Sequence, residues 1–183
     1  MTLKLSTLAI VLGLGMGLPQ IFGILNPQQF AASVRKFPRH VPIGIALMLL
    51  GTAWFLWNLG QESISDFNAF KTPMMIGFAA VGVGTCIFVQ DFLAVRGLAV
   101  LLLLLGKLMV ATGRPFLTVT PWALVIQTWA YVLIVAGIWF TISPWRLRDL
   151  LNWATADEKR VRIGSTARLA FGLFVAVLGF FKF

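Results

Sequence analysis

Long apolar runs separated by short polar segments organise the whole chain. Six of these runs approach the roughly 20 residues that an α-helix needs to cross a bilayer. The expected spans are residues 5–25, 41–59, 73–90, 93–112, 121–142 and 163–183. The pattern therefore predicts an all-α fold, a polytopic membrane protein with about six transmembrane helices.

The polar segments between the runs predict how the spans are connected. Only residues 91–96 separate the cores of the third and fourth spans, which favours a tight helical hairpin there. The first run follows Lys4 and has the position of a signal peptide. It is as long as a complete span, however, and no small-x-small cleavage site closes it, so we interpret it as a retained helix.

Two shorter segments predict amphipathic helices that lie in the membrane interface. In the second segment, four apolar residues recur at i, i+3, i+4 and i+7, on one face of a helix. These are Leu147, Leu150, Leu151 and Ala154. The first segment carries a weaker stripe of Phe30, Val34 and Phe37, and Trp145 and Trp153 are typical of the headgroup region.

The two segments belong to what we interpret as an internal repeat. Val41-Pro-Ile-Gly44 matches Val161-Arg-Ile-Gly164, and Pro27 matches Pro144. We therefore expect one membrane domain composed of a first repeat unit at 1–59, a central helical hairpin at 60–120 and a second repeat unit at 121–183. With six spans both units start on the same side of the membrane, so the repeat is parallel rather than inverted.

Composition and charge support the membrane class. The 183 residues are 59% hydrophobic and 11% charged, which is too little charge to cover the surface of a water-soluble domain. In the six-span topology, ten of the fifteen Lys and Arg residues fall on one side. The other five are Lys4, Lys71, Lys107, Arg114 and Lys182.

The uneven charge predicts the orientation and the neighbours of the protein. The more basic side should be cytoplasmic, which leaves both termini non-cytoplasmic, in a membrane that we expect to be the bacterial inner membrane. A net charge of +9 also occurs in nucleic-acid-binding proteins. Here anionic lipid headgroups account for it, so we expect membrane lipids and other membrane subunits as partners, and no nucleic acid.

The second unit resembles a known family. Pro144, Trp145-Arg146, an amphipathic segment, Asp157, Arg162-Ile163-Gly164 and a final span containing Gly172 are similar to the small two-helix YjeT-like inner-membrane proteins. That bacterial family has no characterised biochemical function, so the resemblance implies an architecture and no catalytic residues. The first unit shares the proline, Arg39 and the Ile-Gly pair but lacks an acidic residue at the place of Asp157. The resemblance covers residues 1–59 and 121–183.

The residue types that perform chemistry are scarce. The chain has one histidine, His40, which could be a single pigment ligand but cannot supply both axial ligands of a bis-histidine haem. The lone Cys86 lies in an apolar run, and the acidic residues are scattered, so no metal site is expected. We therefore expect no catalytic residues, no evident cofactor apart from a bound lipid or apolar pigment, and no enzymatic activity.

Candidate contact residues lie at the basic side and within the spans. We expect partner or lipid contact at Trp145, Arg146, Arg148, Trp153, Arg35, Lys36, Arg39 and Lys107. Gly13 and Gly17 have the GxxxG spacing that allows close helix packing. Arg96 and Lys107 fall within one predicted span, so one or both must snorkel, pair or face a protein or water-filled interior.

These observations favour two functions. The first is a non-catalytic integral-membrane accessory or scaffold subunit of a larger complex, packing through its helices and interfacial segments. The alternative is a small homo-oligomeric transporter or channel with a polar path near Lys107, Gln127 and Tyr131. An enzyme whose active site is completed by another chain is a third class that nothing in the sequence selects.

Overall fold

The computed structural model describes residues 4–62 and 70–183. In this part of the chain there are eight α-helices, and strands do not occur. They are α1 (Leu5–Leu25), α2 (Pro27–Lys36), α3 (Val41–Gln61), α4 (Lys71–Phe88), α5 (Leu93–Gly113), α6 (Ala123–Ile142), α7 (Trp145–Ala154) and α8 (Glu158–Phe181). Parts of the predicted first repeat and of the predicted central hairpin, residues 1–3 and 63–69, lie outside the described residues.

Six of these helices are long and apolar enough to cross a membrane, namely α1, α3, α4, α5, α6 and α8. The prediction of an all-α protein with six candidate spans is therefore confirmed. The protein class is a polytopic α-helical membrane protein. Short helices α2 and α7 occupy the two segments expected to be amphipathic, while their interfacial position stays a prediction.

The contacts between residues divide the chain into two compact units. Unit 1 consists of Met1–Lys36, Leu105–Ile134 and Arg148–Phe183, and unit 2 of Phe37–Leu104 and Val135–Leu147. Each unit has its own buried apolar cluster. In unit 1 this cluster contains Leu5, Leu8, Ala9, Met109, Ile126, Ala130 and Val175. In unit 2 it contains Met48, Cys86 and Leu93.

Unit 1 contains an antiparallel pair formed by α1 and α8. The two backbones approach closely at Gly13 and Gly172, where a Cβ atom on Gly13 would collide with the carbonyl oxygen of Gly172 and lie 2.7 Å from the backbone nitrogen of Ala176. Gly17 lies on the same contact, beside Leu169 and Gly172. Glycine is needed at positions 13 and 172 because a side chain there would separate the helices, whereas a Cβ atom on Gly17 would make ordinary van der Waals contact, 3.5 Å from Leu169.

Unit 2 contains a parallel pair formed by α3 and α5, with α4 antiparallel to α3. A Cβ atom on Gly44 would lie 2.7 Å from the backbone nitrogen of Ala94, and one on Gly97 would lie 2.7 Å from that of Met48. The α4–α5 connection is a short turn, as expected from the sequence. Its last residue, Phe92, adopts a φ of 53°, which is uncommon for a residue with a side chain.

Candidate functional site

The end of α2 is joined to the α7–α8 connection by a two-point hydrogen bond in unit 1. Nε of Arg35 donates to the hydroxyl of Thr155 at 2.8 Å, and a terminal guanidinium nitrogen donates to the carbonyl oxygen of the same residue. Thr155 is buried, and its own hydroxyl donates to the carbonyl oxygen of Leu151 at 2.7 Å. Arginine suits this position because its planar guanidinium presents several donors in a fixed geometry.

Two further contacts extend this connection along α8. The side-chain amide of Gln28 donates to the carboxylate of Glu158 at 2.5 Å. Ten positions further along α8, Arg168 donates to the side-chain oxygen of Gln20 at 3.2 Å. We call the contacts of Arg35–Thr155, Gln28–Glu158 and Arg168–Gln20 the polar contact of unit 1.

Beside the polar contact, the apolar stripes of α2 and α7 face a common small cavity. Its volume is about 230 Å³, and Phe30 and Val34 of α2 line it together with Leu151 and Ala154 of α7. These side chains therefore point partly toward each other. Sequence periodicity identified the stripes, but it could not show that the two stripes share a cavity.

On the surface of unit 1, the aromatic side chain of Trp153 and the basic side chain of Arg160 form a pair. The guanidinium carbon of Arg160 lies 5.6 Å from the centre of the Trp153 ring, close enough for a cation–π interaction. Trp153 is 66% exposed, and in unit 2 Trp145 is 46% exposed. Both tryptophans thus present large apolar rings to the surroundings, as residues at a membrane interface do.

The other predicted contact residues lie in different places. Arg148 pairs with its neighbour Asp149 at 2.8 Å on the surface of unit 1, and Lys36 is exposed on α2. In unit 2, Arg146 is exposed, and the guanidinium of Arg39 lies 5.9 Å from the ring centre of Phe92. The eight residues proposed from the sequence are divided between unit 1, with Arg35, Lys36, Lys107, Arg148 and Trp153, and unit 2, with Arg39, Trp145 and Arg146.

His40 has a structural role that was not predicted from the sequence. Its Nδ1 accepts a hydrogen bond from the backbone N–H of Ile43 at 3.3 Å and so caps the N-terminus of α3. A polar residue immediately before Val41-Pro42 is the signal that would have revealed this cap, because proline favours the first turn of a helix.

The residues proposed for a polar path differ in how far their side chains are exposed. Gln127 is 6% exposed, and its amide donates to the carbonyl oxygen of Val110 at 3.2 Å, which joins α6 to α5 within unit 1. Tyr131 is 59% exposed, and Lys107 is also exposed. Gln127 thus has a helix-packing contact, whereas Tyr131, one turn further along α6, is exposed, and the polar path stays a prediction.

Among residues 4–62 and 70–183, no group of three or more His, Cys, Asp or Glu side chains comes together that could hold a metal ion.

Comparison with protein families, with characterised proteins and with solved structures finds no match. The class of the protein therefore rests on its six candidate spans, and the resemblance to YjeT-like proteins stays a prediction.

Proposed function

We propose that this protein is a non-catalytic accessory or scaffold subunit of a larger membrane protein complex. We place it in the bacterial inner membrane with both termini on the non-cytoplasmic side. The observation that carries the proposal is the polar contact of unit 1, which attaches α2 to the start of α8 while leaving Trp153 and Arg160 outward.

A binding surface benefits from side chains that are already ordered. Holding a flexible segment in its bound conformation lowers the entropy that association must overcome. Exposed tryptophan and arginine are also the residue types that contribute most often to protein interfaces. An ordered Trp153–Arg160 pair beside α2 is therefore suited to a partner subunit whose contacting surface lies at the membrane interface.

The proposed absence of catalysis rests on how the polar groups are used. Arg35 and Thr155 satisfy each other, His40 caps a helix, and Gln127 bonds a neighbouring helix. Each of these groups thus has a structural use. This pattern favours a subunit that positions other proteins.

The proposed duplication has independent support in the lengths of the elements. Helices α2 and α7 are each ten residues long, and each lies between two candidate spans. This order is what two copies of a helix, short helix and helix unit would produce. It supports the proposed internal repeat.

The test is isolation of the protein from its native membrane in mild detergent, followed by mass spectrometry of the proteins that accompany it. We expect a stoichiometric complex. The double variant Trp153→Ala/Arg160→Ala should insert normally but lose its partners. Lys159→Ala is the matched control, because it removes an adjacent exposed charge and leaves the Trp153–Arg160 pair intact.

Isolation of a lone monomer or homo-oligomer would overturn the proposal and bring forward the transporter alternative. Retention of every partner by the double variant would show that another surface makes the contact. Absorption spectra of the isolated material would reveal a bound pigment in the same experiment.

A further inference from the structure

Unit 2 contains a cavity whose lining includes a charged side chain, Arg96, and three threonines among apolar residues. Its volume is about 340 Å³, within the range of small-molecule sites. Side chains from α3, α4, α5 and α6 line it. They are Met48, Thr52, Phe55, Phe78, Val81, Gly82, Thr85, Arg96, Val100 and Thr141.

Arg96 is the charged residue in this lining, and it lacks a matching acid. Its Nε is buried without a hydrogen-bond partner among the described residues. No Asp or Glu occurs among the described residues that line the cavity. The acidic residue closest to Arg96 in the sequence, Asp91, is exposed and is not among the residues that line the cavity.

An unpaired arginine donor is costly inside an apolar region. A buried donor that loses its bond to water without gaining another is destabilising, and more so when the group is charged. Ionisable groups inside a membrane span generally face a partner or a functional cavity for the same reason. The guanidinium of Arg96 is therefore suited to an acceptor that comes from outside the chain.

The threonine hydroxyls in the lining do not supply that acceptor to Arg96. Thr52 donates to the carbonyl oxygen of Met48, Thr85 to that of Val81 and Thr141 to that of Gly137, each within its own helix. Since each hydroxyl proton already forms a hydrogen bond, the guanidinium of Arg96 is the donor in this lining that remains for a negatively charged ligand.

The opposite end of the cavity is aromatic and apolar. Phe55 and Phe78 pack edge to face with ring centres 4.9 Å apart. Along α3, Met48 and Phe55 are separated by seven positions, about 10 Å. Phe78 and Val81 are 41% and 65% exposed, so this side of the cavity borders the exposed apolar surface of α4, which we expect to face lipid.

We propose that this cavity binds one anionic phospholipid of the surrounding bilayer, with the phosphate on Arg96 and an acyl chain against Phe55 and Phe78. Two features select this ligand: a cation at one end and an apolar channel open to lipid at the other. The planar guanidinium matches the geometry of a phosphate. Arg96 also lies at the fourth position of α5, near the side predicted to be basic and to attract anionic lipids.

Native mass spectrometry of the purified full-length protein tests this proposal. The protein is incubated in micelles that contain equal amounts of phosphatidylglycerol and phosphatidylcholine, and separately with palmitate. Wild-type protein should retain one phosphatidylglycerol molecule in preference to phosphatidylcholine. Arg96→Gln should weaken this retention by about tenfold or more, as expected for loss of a hydrogen-bonded charge.

Two further variants test the position of the ligand. Thr85→Phe places a ring in the cavity while leaving Arg96 unchanged, so it should also abolish the selective retention. Arg162→Gln is the matched control: it removes one exposed positive charge in unit 1 and should retain phosphatidylglycerol like the wild type. Arg96→Lys keeps the charge without the planar fork and should give an intermediate affinity.

Thermal unfolding of each variant in detergent establishes that it is folded before the comparison is made. If Arg96→Gln does not fold, Arg96→Lys and Thr85→Phe still test the site. Undiminished selective retention in the folded Arg96 or Thr85 variants would overturn the proposal. Binding of palmitate without binding of phosphatidylglycerol would overturn the assignment of the ligand as a phospholipid.

Discussion

The guanidinium of Arg35 donates two hydrogen bonds to Thr155, one to its hydroxyl oxygen and one to its carbonyl oxygen, across 120 positions of sequence. Arg35 lies near the end of α2, and Thr155 follows α7. This single pair therefore connects the short helix of the first predicted repeat unit to the second predicted repeat unit. The connection gives α2 a defined place in unit 1.

Removal of this pair should loosen α2 selectively. We expect Arg35→Ala to lower the free energy of unfolding by about 1 kcal/mol, the usual net value of a hydrogen bond that is partly exposed to water. Amide hydrogen exchange in Pro27–Lys36 should become faster, because local opening of this helix would require less free energy. Lys36→Ala removes the same charge from the next residue and should leave the exchange rates unchanged. Equal exchange in both variants would contradict this role of Arg35.

The close approach of α1 and α8 predicts different effects at two neighbouring glycines. Gly13→Ala would place a methyl group against the backbone of Gly172 and Ala176, and should destabilise the protein by about 1–3 kcal/mol. At Gly15 nothing lies within 4 Å of the added Cβ, so Gly15→Ala should be neutral or slightly stabilising. Thermal unfolding in detergent measures both effects. A similar loss in the two variants would argue against the observed helix contact.

Gln127 provides a test between helix packing and transport. Gln127→Leu removes the donor to Val110 and should lower stability by about 0.6–1 kcal/mol, as measured for hydrogen bonds between membrane helices. Tyr131→Phe alters an exposed residue and should change stability little. Thermal unfolding in detergent checks these two expectations. If Gln127→Leu left stability unchanged while altering solute flux in vesicles, the transporter alternative would gain support.

The capping role of His40 can be separated from ligation of a pigment. His40→Ala should destabilise α3 by about 1 kcal/mol, because the backbone N–H of Ile43 loses its side-chain acceptor. His40→Asn supplies another acceptor for this N–H and should preserve stability while removing the imidazole. Thermal unfolding measures the cap, and absorption spectra of material from native membranes detect a pigment. A pigment lost from both variants would show that the imidazole is also a ligand.

The orientation predicted from charge can be tested by cysteine labelling in a Cys86→Ser background. Lys36→Cys should react with a membrane-impermeant reagent only after permeabilisation, because α2 is predicted to be cytoplasmic. Arg114→Cys, directly after α5 on the predicted non-cytoplasmic side, should react in intact cells. The opposite labelling pattern would reverse the proposed topology.

Much of the secondary structure was predictable from the sequence. The first span was expected at 5–25, where α1 lies, and the others differ mainly at their ends. The largest difference is at α8, which was expected to begin at residue 163 but begins at Glu158. The apolar run marks the part of a helix in lipid, whereas the helix itself continues through charged residues such as Arg160 that remain accessible to water.

The candidate sites were less predictable because they depend on residues far apart in the chain. Thr155 and Gln28 carry no sequence signal that links them to Arg35 and Glu158. Arg96 was recognised as a charge that needed an explanation, but its proximity to Phe55 and Phe78 followed only from the packing of unit 2.

By itself, the sequence determined the class of the protein and its candidate spans, because every backbone polar group in a bilayer must be satisfied within a helix or a closed barrel. It also marked Gly13 and Gly17 as positions that allow close packing. Only the tertiary structure decided that these glycines face α8, that Arg35 bonds Thr155 and that Arg96 borders a cavity. Helix pairing in lipid depends on the complementary shape and hydrogen bonding of distant surfaces, which hydrophobic periodicity along one chain does not encode.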